Sequence, residues 1–235
     1  MSAQTDEYET RKTDGGFRLS QHGVVLSEMR TKPGPTHSVF DVLAALVAVL
    51  QPVGRLGVLG FAGGSLMAPL RFLGVENAVD SVDLDRAGYD LFARHCAGWA
   101  GRLKWKQADA NAWLGKQPAR FGLVMDDLSI PVDDDVVKPE CSWSTLPALM
   151  KSRVRTGGVV VSNQLKPDGM SWAVGMKVFE ELFDDVQVIH LDDFENRIIV
   201  AGDGLPPIRE TSKWLRAKLK LLGSEQAGLF RMRTA

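Results

Sequence analysis

Leu56-Gly57-Val58-Leu59-Gly60-Phe61-Ala62-Gly63-Gly64-Ser65 is the stretch on which the fold turns. Residues 56–60 form a short apolar run, the pattern of a strand covered on both faces. Three glycines follow within five positions, at Gly60, Gly63 and Gly64. Glycine lets the chain bend sharply and lets a ligand approach the backbone closely. A helical pattern over 63–73 comes next, and a helix N-terminus offers unpaired N–H groups and a positive dipole end. A glycine-rich bend between strand and helix also serves as an ordinary tight β–α turn, so the residues further along must decide between the two readings.

From this turn the chain alternates strand and helix. Strands are predicted at 78–83, 103–107, 121–125 and 158–162, and helices at 86–99, from 110, at 144–154 and at 172–183. Residues 186–191 and 197–201 read as a hairpin, and 210–222 as a basic terminal helix whose lysines and arginines form a solvated face. Strands alternating with helices imply a parallel sheet. The fold class is therefore α/β: a doubly wound, mostly parallel seven-stranded sheet with an antiparallel terminal hairpin strand at its edge.

Toward the N-terminus the signals are weaker. Residues 1–14 are polar and mixed in charge and read as a flexible lead-in. Residues 17–28 alternate weakly and suggest a short hairpin. The prolines and glycine of 31–35 make a loop. Ser38, followed three residues on by Asp41, fits a capping box at the start of an apolar helix that Pro52 and Gly54 end. The organisation is then a lead-in (1–14), an N-terminal hairpin and helix (15–54), one α/β domain (55–205), and a C-terminal helix and tail (206–235).

Composition bounds the rest. The chain has 235 residues, 45% hydrophobic and 24% charged, enough to bury a large core. A net charge of −1 calls for neither nucleic acid nor an anionic membrane as partner. The longest apolar run, 42–50, is too short to span a bilayer. Cys96 and Cys141 stand far apart without partners at ligand spacing, so no metal site is expected and a reducing, cytoplasmic setting is. The acidic run Asp133-Asp134-Asp135 reads as a solvated loop.

Acids follow the successive strands. Asp83 ends the second, about 20 residues beyond the turn, where a carboxylate meets ribose hydroxyls. Helix capping by Asp83 or Asp85 is the other reading. Asp109 follows the third strand, placed to accept from an adenine amine or to cap a helix. Asp126 and Asp127 end the fourth, where a doubly wound sheet puts its reacting centre. His37, just before the first helix, is a further catalytic candidate or an exposed neighbour of the cap. Trp143 and Trp172 wall an acceptor pocket or pack in the core.

With these residues in place the chain resembles the class I S-adenosylmethionine-dependent methyltransferases, and among them the spermidine synthase branch. The resemblance spans residues 24–202. It is carried by the turn quoted above, by Ser81-Val82-Asp83-Leu84-Asp85, by Gln107-Ala108-Asp109-Ala110, and by Phe121-Gly122-Leu123-Val124-Met125-Asp126-Asp127-Leu128-Ser129-Ile130-Pro131. It implies a Rossmann-like methyltransferase fold and an enzyme that uses S-adenosylmethionine. Gly60, Phe61, Ala62, Gly63 and Gly64 would hold the methionine part of the cofactor, Asp83 the ribose and Asp109 the adenine amine, with Leu84, Ala110 and Asp126 as further cofactor-binding residues. Asp127 falls on the acid that spermidine synthases use to orient and deprotonate the attacking amine, with Asp126 second because the strand end can be misplaced by one residue.

Two positions depart from that branch. Ala62 stands where its glycine turn has an acid, and Ile130 where its loop has another. In that branch the first acid contacts the amine end of the cofactor's transferred chain and the second helps hold the polyamine. The hairpin near residues 24–28 is also short for the branch's N-terminal β-domain, so methyl transfer to an amine or hydroxyl of a small molecule or peptide is expected ahead of aminopropyl transfer. A noncatalytic cofactor-binding subunit is the third reading. The resemblance also implies a possible homodimer.

Overall fold

The computed structural model describes residues 8–21, 23–51, 53–117, 120–132 and 135–235. Three strands come first, β1 (Glu9–Thr13), β2 (Gly16–Gln21) and β3 (Val24–Arg30), in one antiparallel sheet. Part of the lead-in and the predicted hairpin are thus a three-stranded sheet, with Glu9–Thr13 as its outer strand. The four consecutive polar residues from Glu9 to Lys12 hide this strand from a pattern search, because pairing to β2 and not burial holds it.

Helix α1 (Val39–Leu50) follows, with Ser38 accepting a hydrogen bond from the Phe40 N–H. Asp41 departs from the capping-box pattern. Its fully buried carboxylate accepts from the N–H groups of Thr36 and His37 and from the Thr36 hydroxyl, tying down the loop before the helix. α1 is buried on nearly every side, between the main sheet and the C-terminal helix.

The main sheet takes β4 (Arg55–Leu59), β5 (Ala78–Asp83), β6 (Leu103–Gln107), β7 (Phe121–Asp126), β10 (Val154–Gln164), β11 (Asp185–Leu191), β12 (Arg197–Gly202) and β13 (Phe230–Thr234); β8 (Ile130–Val132) and β9 (Asp135–Val137) form a separate two-stranded hairpin. Its order is β13-β11-β12-β10-β7-β4-β5-β6, eight strands where seven are expected. β6, β5, β4, β7 and β10 run parallel. β12 is antiparallel to both its neighbours and lies between β10 and β11, not at the edge. Its residues Ile198–Gly202 are all buried, which only an interior strand allows. The edge goes instead to β13, in the segment expected to be a tail, where Phe230 is buried and Arg231 and Arg233 stay outside. Charge on an edge strand blocks further pairing.

Strand alternation divides the core between the two faces. Leu123, Met125, Val159, Val161, Ile198 and Val200 join α1 and the terminal helix α7 (Ile208–Leu222) on one side. Val124, Val160, Ile199 and Ala201 join α4 (Ala110–Gly115), α5 (Leu146–Arg153) and α6 (Trp172–Leu182) on the other. α3 (Ala87–Ala100) completes the first layer. Among the described residues no helix is long and apolar enough to cross a membrane. After β4 the chain moves outward through β5 and β6, then returns to the other side of β4 as β7. The carboxyl ends of β4 and β7 therefore flank the point where strand order reverses, the place where such sheets open a crevice.

Candidate functional site

At that point the turn after β4 is packed tightly. Gly60 has φ +84°, and a Cβ there would lie 2.6 Å from the Asp127 carbonyl oxygen. The Asp127 N–H donates to the Leu59 carbonyl at 2.8 Å, so the tips of β4 and β7 are joined. Ala62 has φ +42°, a left-handed conformation that costs an L-residue about 1–2 kcal/mol. What holds it is Asp83, whose Oδ2 accepts from the N–H groups of Phe61 and Ala62, each at 2.7 Å. Helix α2 (Met67–Phe72) begins four residues later than the pattern predicts, because residues 61–64 close a turn of their own, with the Gly64 N–H donating to the Phe61 carbonyl. The bend, not the end of a long helix, faces the crevice.

The crevice is a cleft of about 510 Å³. Gly60, Ala62, Asp83, Leu84, Asp109, Ala110 and Asp127 all line it. Asp83, Asp109 and Asp127, which follow or end three different strands, therefore share one cavity. Asp85 accepts from the Ala87 N–H at 2.6 Å and serves the start of α3. Asp109 caps α4 through Oδ1, which accepts from the Ala112 N–H at 2.8 Å, while its residue lies at the cleft wall. Capping and cleft lining coexist there.

Asp127 is the titratable group the cleft alters most. Burial, first of all, pushes its carboxyl from 3.8 up to about 6, helped by the charges of Asp126 and Asp83 and opposed by the Asn163 hydrogen bond and the Lys138 charge. The Asn163 amide donates to Asp127 Oδ1 at 2.8 Å, and the Asn196 amide donates to Asn163 Oδ1 at 3.0 Å. Asn163 and Asn196 also line the cleft. Nothing in the sequence pattern marks them, since they sit at an apolar strand's end and in a hairpin bend.

Several expected residues are elsewhere. Asp126 is 1% exposed and does not line the cleft. β7 runs one residue further than expected, and alternation turns Asp126 onto the α5–α6 face. There it pairs with Lys138 Nζ at 3.1 Å and accepts from the Ser162 hydroxyl at 2.7 Å and from the Leu128 N–H at 3.0 Å. Asp126 is thus anchored by partners on that face, one residue away from the cleft that Asp127 lines. His37 is exposed at φ +58° and is not among the residues that line the cleft. Phe61 packs edge-on against Phe92, Gly63 approaches Ser27, and Gly64 lies between the Phe61 and Phe92 rings. These three shape the bend from behind and do not line the cleft. Trp143 is buried, packed against Trp172 and Phe179, and neither tryptophan walls the cleft. Asp133 and Asp134 lie outside the described residues, and Asp135 starts β9.

The far half of the cleft is apolar. Leu19, Val25 and Leu26 of the N-terminal sheet face Ile130 and Pro131 of the β8–β9 hairpin, with Gln21 and Cys141 among them. β2 and β3 thereby complete a cavity whose other walls belong to the main sheet.

No family model matches the sequence, and no curated protein matches it. Solved structures do. A probable spermidine synthase from Corynebacterium glutamicum superposes with a TM-score of 0.74 at 15% identity, over 100% of this chain and 89% of that one. Spermidine synthase from Thermotoga maritima gives 0.64 at 13% identity, over 89% and 74%. Human methyltransferase-like protein 13, in complex with SAH, gives 0.58 at 19% identity, over 80% and 92%. With the sheet order and the reversal beside β4, these likenesses establish that the chain has the Rossmann-like fold common to spermidine synthases and class I methyltransferases.

Proposed function

We propose that this protein is an S-adenosylmethionine-dependent transferase, and that it transfers a methyl group to an amine or hydroxyl of a small molecule or peptide. The observation that carries the reading is the convergence of Asp83, Asp109 and Asp127 on one cleft beside the Gly60–Ala62 bend. Among the described residues Asp83 Oδ1 accepts a single 3.3 Å bond, from the Asp85 N–H, which leaves it for ribose hydroxyls. Asp109 keeps one oxygen for an adenine amine while the other caps α4. Bound S-adenosylmethionine supplies an electrophilic methyl on a sulfonium.

The chain's own part is alignment, exclusion of water and proton removal. Asp127, with its carboxyl at about 6, is ionised at neutral pH yet basic enough to take a proton from the attacking group. Asn163 fixes the direction of that carboxylate. Asp127 would take the acceptor's N–H or O–H proton, and bound S-adenosylmethionine would supply the methyl to the nitrogen or oxygen, its sulfur leaving with the electron pair of the S–CH₃ bond.

A second reading, aminopropyl transfer from decarboxylated S-adenosylmethionine, is favoured by the N-terminal sheet in front of the cleft and by the full-length likeness to a probable spermidine synthase. Ala62 and the cleft-lining Ile130 weigh against it, since a dication there meets apolar wall. Calorimetry with each cofactor form separates the two. Methyl transfer predicts tighter binding of the carboxylated form, because no acid at position 62 repels its carboxylate. Tighter binding of the decarboxylated form reverses the assignment, and binding of neither leaves the noncatalytic reading.

A further inference from the structure

A second hollow of about 370 Å³ opens beside the cleft and is lined by Lys166, Trp172, His190 and Arg197. Asn196 belongs to both cavities, and through Asn163 it stands two side chains from Asp127. We propose that this hollow binds the anionic group, a carboxylate or a phosphate, of the acceptor that is methylated in the main cleft. The inference rests on the proposed function and narrows its substrate to small amino or hydroxy compounds that carry such a group.

The register of the sheet builds the site. His190 on β11 pairs with Arg197 on β12 and with Arg231 on β13, so the three side chains stand in a row on one face. Arg197 lies over the face of Trp172, its guanidinium carbon 4.1 Å from the ring centre. A cation–π contact of this kind holds the guanidinium in place without using its N–H donors, which can then receive an oxyanion in a fork. Among the described residues neither Arg197 nor Lys166 makes an ion pair or donates a side-chain hydrogen bond. Nε2 of His190 is buried and also unpartnered. A buried imidazole nitrogen in a native structure normally has a partner, so the orphaned His190 Nε2, with the Arg197 and Lys166 charges on the same wall, points to an anion that completes the set.

The charges agree. Burial, then Arg197, Arg233 and Arg231, hold the His190 imidazole below its ordinary value, an excess of positive charge that a bound anion relieves. Asp192 is engaged with Arg231, and Glu195 is the one acid on the wall. The main cleft concentrates carboxylates, so an acceptor reaching from Asp127 past Asn196 passes from an acidic to a basic environment.

Titration of the full chain with inorganic phosphate tests the site, read from the His190 ring resonances assigned by their loss in His190→Gln. Saturable shifts are expected, together with a rise of the His190 pKa when phosphate is bound. Arg197→Gln weakens phosphate binding about tenfold, the loss of one charge-assisted bond. Lys166→Gln, at an exposed position that cannot endanger the fold, weakens it severalfold. No saturable shift in the wild-type chain, or equal phosphate affinity in both variants and the wild type, overturns the proposal. A separate titration with S-adenosylmethionine, unchanged in Lys166→Gln, keeps the two readings apart: failure of the wild-type chain to bind it overturns the proposed function, whatever phosphate does.

Discussion

Replacing Asp127 by Asn removes the charge that the cleft tolerates least and keeps the shape. The Asn163 amide still finds a carbonyl oxygen where it now donates at 2.8 Å. In the folded chain the Asp127 carboxyl ionises at about 6, against 3.8 for an exposed one. The folded state therefore holds its proton more tightly than the unfolded state. Ionisation then destabilises the fold, beginning above the unfolded value and complete once pH passes the folded one. At pH 8 the full shift applies, roughly 3 kcal/mol; at pH 4, close to the unfolded value, the same linkage leaves only a small fraction of it. Asp127→Asn is thus expected to raise the melting temperature by about 6–10 °C at pH 8 and by little at pH 4. Scanning calorimetry of both proteins at the two pH values measures it. Methyl transfer by the same variant falls about 10²–10⁴-fold, the usual share of a proton-accepting group. An equal change in melting temperature at both pH values would refute the reasoning, because it would mean that Asp127 carries no burial penalty.

Two further substitutions probe the supports of the site. Gly88 of α3 faces the bend, and a Cβ there would lie 2.5 Å from the Ala62 carbonyl carbon. Gly88→Ala must push the bend away by about 1 Å to reach ordinary contact, and S-adenosylmethionine binding measured by calorimetry is expected to weaken at least about tenfold. Lys138→Met leaves the buried Asp126 carboxylate without its cation and costs about 3–5 kcal/mol in urea unfolding, most of which the added Asp126→Asn change restores. A loss below about 1 kcal/mol in the single variant would show the pair to be dispensable.

Much of this protein is local in origin. The apolar run into Gly60, the strand–helix alternation, and the acids after successive strands are short-range patterns, and backbone sterics with 2.0 or 3.6 periodicity suffice to place them. For the same reason Asp83, Asp109 and Asp127 were legible as neighbours, since a parallel sheet brings every strand's carboxyl end to one edge. Tertiary structure decided what depends on pairing between distant segments. One extra residue in β7 sent Asp126 to Lys138 and Ser162 and left Asp127 to the cleft, a difference that alternation makes absolute and periodicity cannot resolve. The insertion of β12 beside β10, the closing of the edge by β13, and the three-stranded sheet that walls the cleft are likewise matters of hydrogen-bond partners many residues apart. So is the row of Arg231, His190 and Arg197, three residues from three strands that only register brings side by side.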